Sequence, residues 1–412
     1  MKHLYYGWIT VLFAAIILAA HALTFYSFGI FLKPIVAEFN WDRGALSAAL
    51  AICLLVVGPL GILTGRLSDK YGPRLLVTAN GVLTGIGFFL LSQISSLWQV
   101  YLIWGLILSV AGSGCVVPIT STIPRWFAQK RGLAMGLTWT GIGLGGMIAP
   151  LLSQWLIDSY GWRQAYFILG LINFIIVTLL AQFIKHSPER IGLKPYGENE
   201  SVEDEQSISS IAEGFTFKQA IKTGRFWLFG SILFCFFFTI QVIMVHIAPH
   251  IADIGISTTI AASIVSIFAA TSLIGRNLSG FISDKVGTRF ALKAFLVMVT
   301  LILIWLVFSR EAWMFYLFAV LYGIAYGGMV PLQTLLTGEL FGLKFLGMIV
   351  AALMLFGTIG GAVGAPLAGY IFDITGNYSL AFIICVILCM LATVLSLILS
   401  HSKDKKSIIM TK

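Results

Sequence analysis

Charge is the scarce ingredient of this chain. Only 10% of its 412 residues are Asp, Glu, Lys or Arg, against about 25% in an ordinary soluble domain. That excludes a water-soluble globule. Cysteine is scarce too. Cys53, Cys115, Cys235, Cys385 and Cys389 all lie inside apolar runs, and none has CxxC or metal-ligand spacing. They read as buried packing thiols, which excludes a disulfide framework and a zinc site. A phosphate-binding glycine loop and a nucleophile–base pair in suitable context are both missing. No enzymatic chemistry and no cofactor is therefore expected. All 17 acidic residues can be placed outside the apolar interiors, so nothing offers a buried carboxylate to a cationic cargo.

Hydrophobicity is what the chain has instead. The composition is 58% hydrophobic with a mean hydropathy of +0.95. Apolar runs long enough to cross a bilayer recur at about 8–31, 45–65, 75–95, 98–123, 132–156, 164–184, 226–249, 257–281, 290–308, 312–337, 345–371 and 377–400. The first, from about Trp8 to Phe31, is too long for a cleaved leader and has no small-residue cleavage site. A polar, acidic stretch containing Pro and Gly separates the sixth and seventh runs. The expected division is a six-helix bundle over 1–184, a linker over 185–225, a second bundle over 226–400 and a tail over 401–412. The fold class is an all-α polytopic membrane protein of twelve transmembrane helices.

The basic residues predict orientation. With both termini in the cytoplasm, 21 of the 26 Lys and Arg residues face inward. Four (Lys33, Arg43, Arg163 and Arg310) face outward, and Arg276 does neither. The net charge of +9 is thus a topology signal facing an anionic leaflet. No nucleic-acid partner is implied.

The halves repeat. GRLSDKYGPR (65–74) follows the second run and GFISDKVGTR (280–289) the eighth, an offset of 215 residues. RWFAQKRG (125–132) has a weaker echo in ELFGLKFLG (339–347). Repeats on this scale mark the two pseudo-symmetric six-helix bundles of many secondary transporters. The paired G-x-x-x-D-[KR]-x-G-x-[RK] loops resemble the signature of the major facilitator superfamily. The resemblance implies that Gly65, Asp69, Lys70, Gly72 and Arg74, with Gly280, Asp284, Lys285, Gly287 and Arg289, form a gating motif on the cytoplasmic side. In the fifth run, Gly141 and Gly145 form a GxxxG suited to close helix packing. The eleventh run has a similar series at Gly357, Gly360, Gly361 and Gly364.

Arg276 stands inside the eighth run, eight residues before Asp284, or about 12 Å along a helix. Ser272, Arg276, Ser279 and Ser283 fall on one helical stripe, which predicts a cavity wall. A charge at the bilayer centre costs at least about 2.5–3.5 kcal/mol, so a permanent cation with no acid at its depth reads as a site for an anion. Asn277 beside it, Tyr322, Tyr326 and Gln333 in the tenth run, His21 and Tyr26 in the first, and Gln241 in the seventh are the candidate companions. His21 and His246 are also the histidines of the runs able to titrate near neutral pH.

YYGW (5–8), YSFGIFLKPI (26–35), FNWDRGALS (39–47) and IGRNLSGFISDKVG (274–287) resemble one branch of that superfamily, the monocarboxylate porters and the oxalate/formate antiporter relatives. The resemblance implies a carboxylate held by Arg276. Two features depart from it: the eleventh run lacks the Lys of dicarboxylate-type members, and Ser272 and Tyr26 stand where animal members carry Asp and Lys. The expectation is a secondary carrier of small monocarboxylates in the plasma membrane, working as a monomer with a proton or a counter-anion as partner. Rival readings are an exporter of drugs or other metabolites, and a non-transporting sensor on the same fold.

Overall fold

A computed structural model describes residues 5–127, 129–197, 215–342 and 346–401. The tail, Lys344 and the acidic part of the linker lie outside these. The described chain is helical, apart from short turns and one isolated bridge between Phe127 and Tyr196. The helices are α1 (Tyr6–Phe39), α2 (Arg43–Tyr71), α3 (Pro73–Leu91) and α4 (Leu97–Trp126). One continuous element, Arg131–Ala181, follows; it breaks at Gly161, whose φ of 79° and ψ of 161° are not helical. We number its parts α5 (131–160) and α6 (162–181). The second half has α7 (Gly224–Asp253), α8 (Thr258–Val286), α9 (Thr288–Phe308), α10 (Ala312–Phe341), α11 (Leu346–Thr375) and α12 (Ser379–His401). Among the described residues, eleven elements are long and apolar enough to span a membrane. The Gly161 break makes them the twelve spans expected.

Two backbone features explain how so apolar a chain packs. Because lipid tails are as apolar as the side chains, helix association relies on close approach. An added Cβ on Gly145 of α5 would strike the carbonyl oxygen of Ala19 in α1, and one on Gly360 of α11 would strike that of Phe234 in α7. Both residues of the second contact lie 215 places after those of the first, so the repeat is a repeat of packing. Prolines inside α1, α2, α5, α7, α10 and α11 remove helical hydrogen bonds and bend these helices. Pro34 and Pro249 are again 215 apart.

The halves meet along α1 with α7, α2 with α11, and α5 with α8. We call the end carrying the linker the linker side and the other the distal side. On the linker side, Gly72 (φ 87°) and Gly287 (φ 94°) turn the chain in a conformation that favours glycine. Each amide donates back to a helix carbonyl, at Ser68 (2.8 Å) and Ser283 (3.0 Å). The bases of the two loops bond within their own halves. Arg74 donates to Gln182 (Nε to Oε1, 2.8 Å), and Arg289 pairs with Glu339 at 2.7 Å. Lys70 and Lys285 lie over Tyr71 and Phe281. Gly65 and Gly280 sit inside helices, with open space beside Gly280. The side chains of Asp69 and Asp284 lie outside those described.

Candidate substrate site

α8 carries Arg276 into the seam between the halves. There its Nη1 donates to the backbone carbonyl of Trp139 in α5 at 3.4 Å, the long end of a hydrogen bond. Its Nε is buried without a partner, and among the described residues no carboxylate pairs with it. Tyr26 of α1 lies in electrostatic range of both Tyr326 of α10 and Arg276. Tyr26 of the first half thus stands near both residues of the second. Gly146 of α5 makes this possible: a Cβ there would lie 2.9 Å from the Tyr26 ring. The repeat-related contact is Gln241 against Gly361, where a Cβ would lie 2.8 Å from the Gln241 side chain. Gln241 therefore occupies in α7 the place Tyr26 occupies in α1.

Other expected members stand apart. Gln333 is half-buried and shares the face of Tyr326, two turns further along α10 toward the linker side. His21 is buried in the first half, its ring edge-on to Phe25 and close to Gly112 of α4. Two assignments need correction. Tyr322 is fully enclosed in the second half, its ring stacked on Phe318 at 5.0 Å and its hydroxyl near Cys385 and Cys389 of α12. It is core, because Phe318 and Phe268 of α8 pack against its ring and its hydroxyl is enclosed. Asn277 is exposed on the face of α8 shared with Ile274, Leu278 and Phe281, and its amide donates back to the Leu273 carbonyl at 2.9 Å. One residue is 100° of helix rotation, enough to turn it away from Arg276. The serine stripe is also altered. Ser272 and Ser279 are fully buried and back-bonded to Ala269 and Arg276 carbonyls, so Arg276 is the stripe's under-satisfied polar group.

A second constellation, which the sequence reading did not assemble, closes the distal side. Arg43, the first residue of α2, forks onto Asp253 of α7 (Nη2 to Oδ1, 3.1 Å), donates to the Tyr378 hydroxyl (2.9 Å) and lies 3.8 Å from the Phe372 ring centroid. Lys33 reaches the same Asp253 at 3.2 Å. Tyr378 in turn meets His246 Nδ1 at 3.1 Å, and His246 Nε2 lies 2.8 Å from the Ala365 carbonyl. Both cations belong to the first half and the carboxylate to the second.

The described ion pairs between halves are therefore all distal, while the described partners of Arg74 and Arg289 lie in their own halves. A half-buried, under-bonded cation in the seam of two repeated six-helix bundles, joined at one end by breakable charge contacts, is the apparatus of a carrier. Comparison with known proteins agrees. The family model of the Major Facilitator Superfamily matches residues 14–310 and 249–410. The chain belongs to the major facilitator superfamily. Monocarboxylate transporter 13 of Rattus norvegicus is 30% identical over 391 residues, covering 92% of this chain and 85% of that protein. The MFS-type transporter YcxA of Bacillus subtilis is 25% identical over 394 residues, covering 92% and 91%. Among solved structures, a bacterial homologue of the human lysosomal transporter Spinster superposes with a TM-score of 0.78 at 16% identity, covering 97% of this chain and 98% of that one. The nucleoside transporter NupG superposes with a TM-score of 0.75 at 12% identity. At such identities the structural likeness speaks for the fold alone. This member of the superfamily is a multi-pass membrane transporter for a small-molecule substrate, homologous to monocarboxylate transporters.

Proposed function

We propose that this facilitator carries small monocarboxylates of lactate or pyruvate type by alternating access, with the substrate carboxylate on Arg276. The observation that carries the reading is the buried, unpartnered Nε of Arg276. With one weak carbonyl contact, the guanidinium keeps most of its five donors for a planar bidentate acceptor. A monoanion neutralises one fixed charge and lets the occupied site close. A dianion would leave a net negative charge, and the described part of α11 offers no Lys to balance it. Tyr26 and Tyr326 supply hydroxyls from opposite halves and aromatic walls for a short carbon skeleton. The relatives named as monocarboxylate transporters support the same class. All of these residues come from one chain, so a monomer suffices. We assign the linker side and both termini to the cytoplasm of a plasma membrane, from the distribution of Lys and Arg, and the partner species to a proton or a counter-anion.

The test is uptake of labelled lactate, pyruvate, formate and oxalate into proteoliposomes, with and without a pH gradient and with and without internal anion. Saturable uptake of the monocarboxylates above oxalate is expected. The gradient and internal-anion arms separate proton symport from exchange. Preference for oxalate, or transport of cationic or neutral drugs alone, would overturn the reading.

A further inference from the structure

The distal side is closed along two seams that the 215-residue repeat relates to each other: α2 against α11, and α8 against α5. Gly161 (φ 79°) and Gly376 (φ 72°) end α5 and α11 at equivalent places and fix the correspondence. Asp373 is then the mate of Asp158, Gly369 of Gln154, Gly44 of Thr259 and Arg43 of Thr258. Topology would make the seams alike, but they are not.

At the α2–α11 seam the backbones touch. A Cβ on Gly44 would lie 2.7 Å from the Tyr370 nitrogen, and one on Gly369 would lie 2.5 Å from the Gly44 nitrogen. The first amides of α2 have no helical partner, and the side chain of Asp42, the residue before α2, does not cap them. Asp373 of the opposite half does so instead: Oδ1 accepts from the Arg43 amide at 2.9 Å and Oδ2 from the Gly44 amide at 2.8 Å. The Arg43 side chain adds the fork onto Asp253.

At the α5–α8 seam, Gln154 and Thr259 stand where the other seam has glycines. α8 caps itself, through Ser257 accepting from the Ile260 amide. Asp158 accepts from Gln154 Nε2 at 2.7 Å, and that same nitrogen donates to Thr258 Oγ1 at 3.0 Å. A cavity of about 220 Å³ remains, with Lys33, Gln154, Asp158 and Thr258 among its lining.

We propose that distal closure is one-sided. The α2–α11 seam, held by Asp373 on the α2 amides and by Arg43 on Asp253, is the latch that must break for the halves to rock. The α5–α8 seam carries no latch. At the distal end of the first seam a carboxylate of one half caps the backbone of the other and glycines bring the helices together; at that of the second, the described cross-half bond is the neutral one from Gln154 to Thr258, beside a cavity. The proposal depends on rocking of the halves and not on the identity of the cargo, so its test needs no substrate.

The test uses the full chain in lipid nanodiscs, with spin labels at Ser95→Cys and Arg310→Cys. These positions are exposed, sit in the distal α3–α4 and α9–α10 turns, and are themselves repeat mates away from both seams. The five native cysteines are buried and compete little for the label. In Asp373→Asn a longer-distance population should appear, while Asp158→Asn should superpose on the parent. Gly44→Ala, which changes no charge but wedges the 2.7 Å contact, should lengthen the distance too, and it keeps the test decisive if Asp373→Asn does not fold. Equal shifts in Asp373→Asn and Asp158→Asn would overturn the one-sided closure. Unchanged distances in both Asp373→Asn and Gly44→Ala would overturn the latch itself.

Discussion

At the scale of single residues, Arg276 is defined by what it does not touch. Its described surroundings are a carbonyl at 3.4 Å and the neighbourhood of Tyr26. Arg276→Lys keeps the charge but loses the planar fork. Replacing a bidentate contact by a single one should cost about 1.5–3 kcal/mol, so kcat/KM for uptake should fall about tenfold or more. Full activity in that variant would remove the bidentate assignment. Tyr26→Phe and Tyr326→Phe each delete a hydroxyl and should raise KM several-fold, consistent with about 1 kcal/mol per neutral hydrogen bond. Tyr322→Phe should leave KM unchanged, since that ring is core. Arg276 was legible in the sequence because a charge in an apolar run is visible without any neighbour. Tyr322 and Tyr326 were not separable there. They are four apart on one helix, and only the packing of neighbouring side chains decides which is covered.

At the scale of elements, glycine does two different jobs. Gly145 and Gly360 let helices touch backbone to backbone. Gly145→Ala should destabilise by about 1–3 kcal/mol through overpacking. Gly136→Ala, in the same helix but with nothing within 4 Å of a new Cβ, should be neutral or stabilise by up to about 1 kcal/mol. Thermal unfolding in detergent, read for both variants, checks the contrast. The GxxxG pattern announced the first role in the sequence. The composition of α5 could not say which of its glycines face a neighbour and which face open space, since that depends on where α1 and α8 lie.

At the scale of the whole molecule, the charge contacts between Lys33, Arg43 and Asp253 hold the two halves together at the distal end. Proposed orientation and closure can be separated experimentally. In intact cells a membrane-impermeant maleimide should label Ser95→Cys from outside and should reach Lys194→Cys only after permeabilisation. The reverse pattern would invert the topology without touching the site. The pseudo-symmetry also explains why the latch was missed. Asp158 and Asp373 sit in the related stretches IDSYG and FDITG, which look alike as strings, yet one carboxylate caps a helix of the other half and its mate does not.

Spans, repeat and the cation within the eighth run were readable from the chain alone, because hydropathy and charge are summed locally and the bilayer penalises each misplaced group where it stands. Which faces line the seam, and which seam is latched, only the tertiary structure decided. Arg43 finds Asp253 across 210 residues, and Gly44 finds Asp373 across 329. Contacts that distant depend on how twelve helices settle against one another, and on whether glycine or a larger residue stands at each crossing.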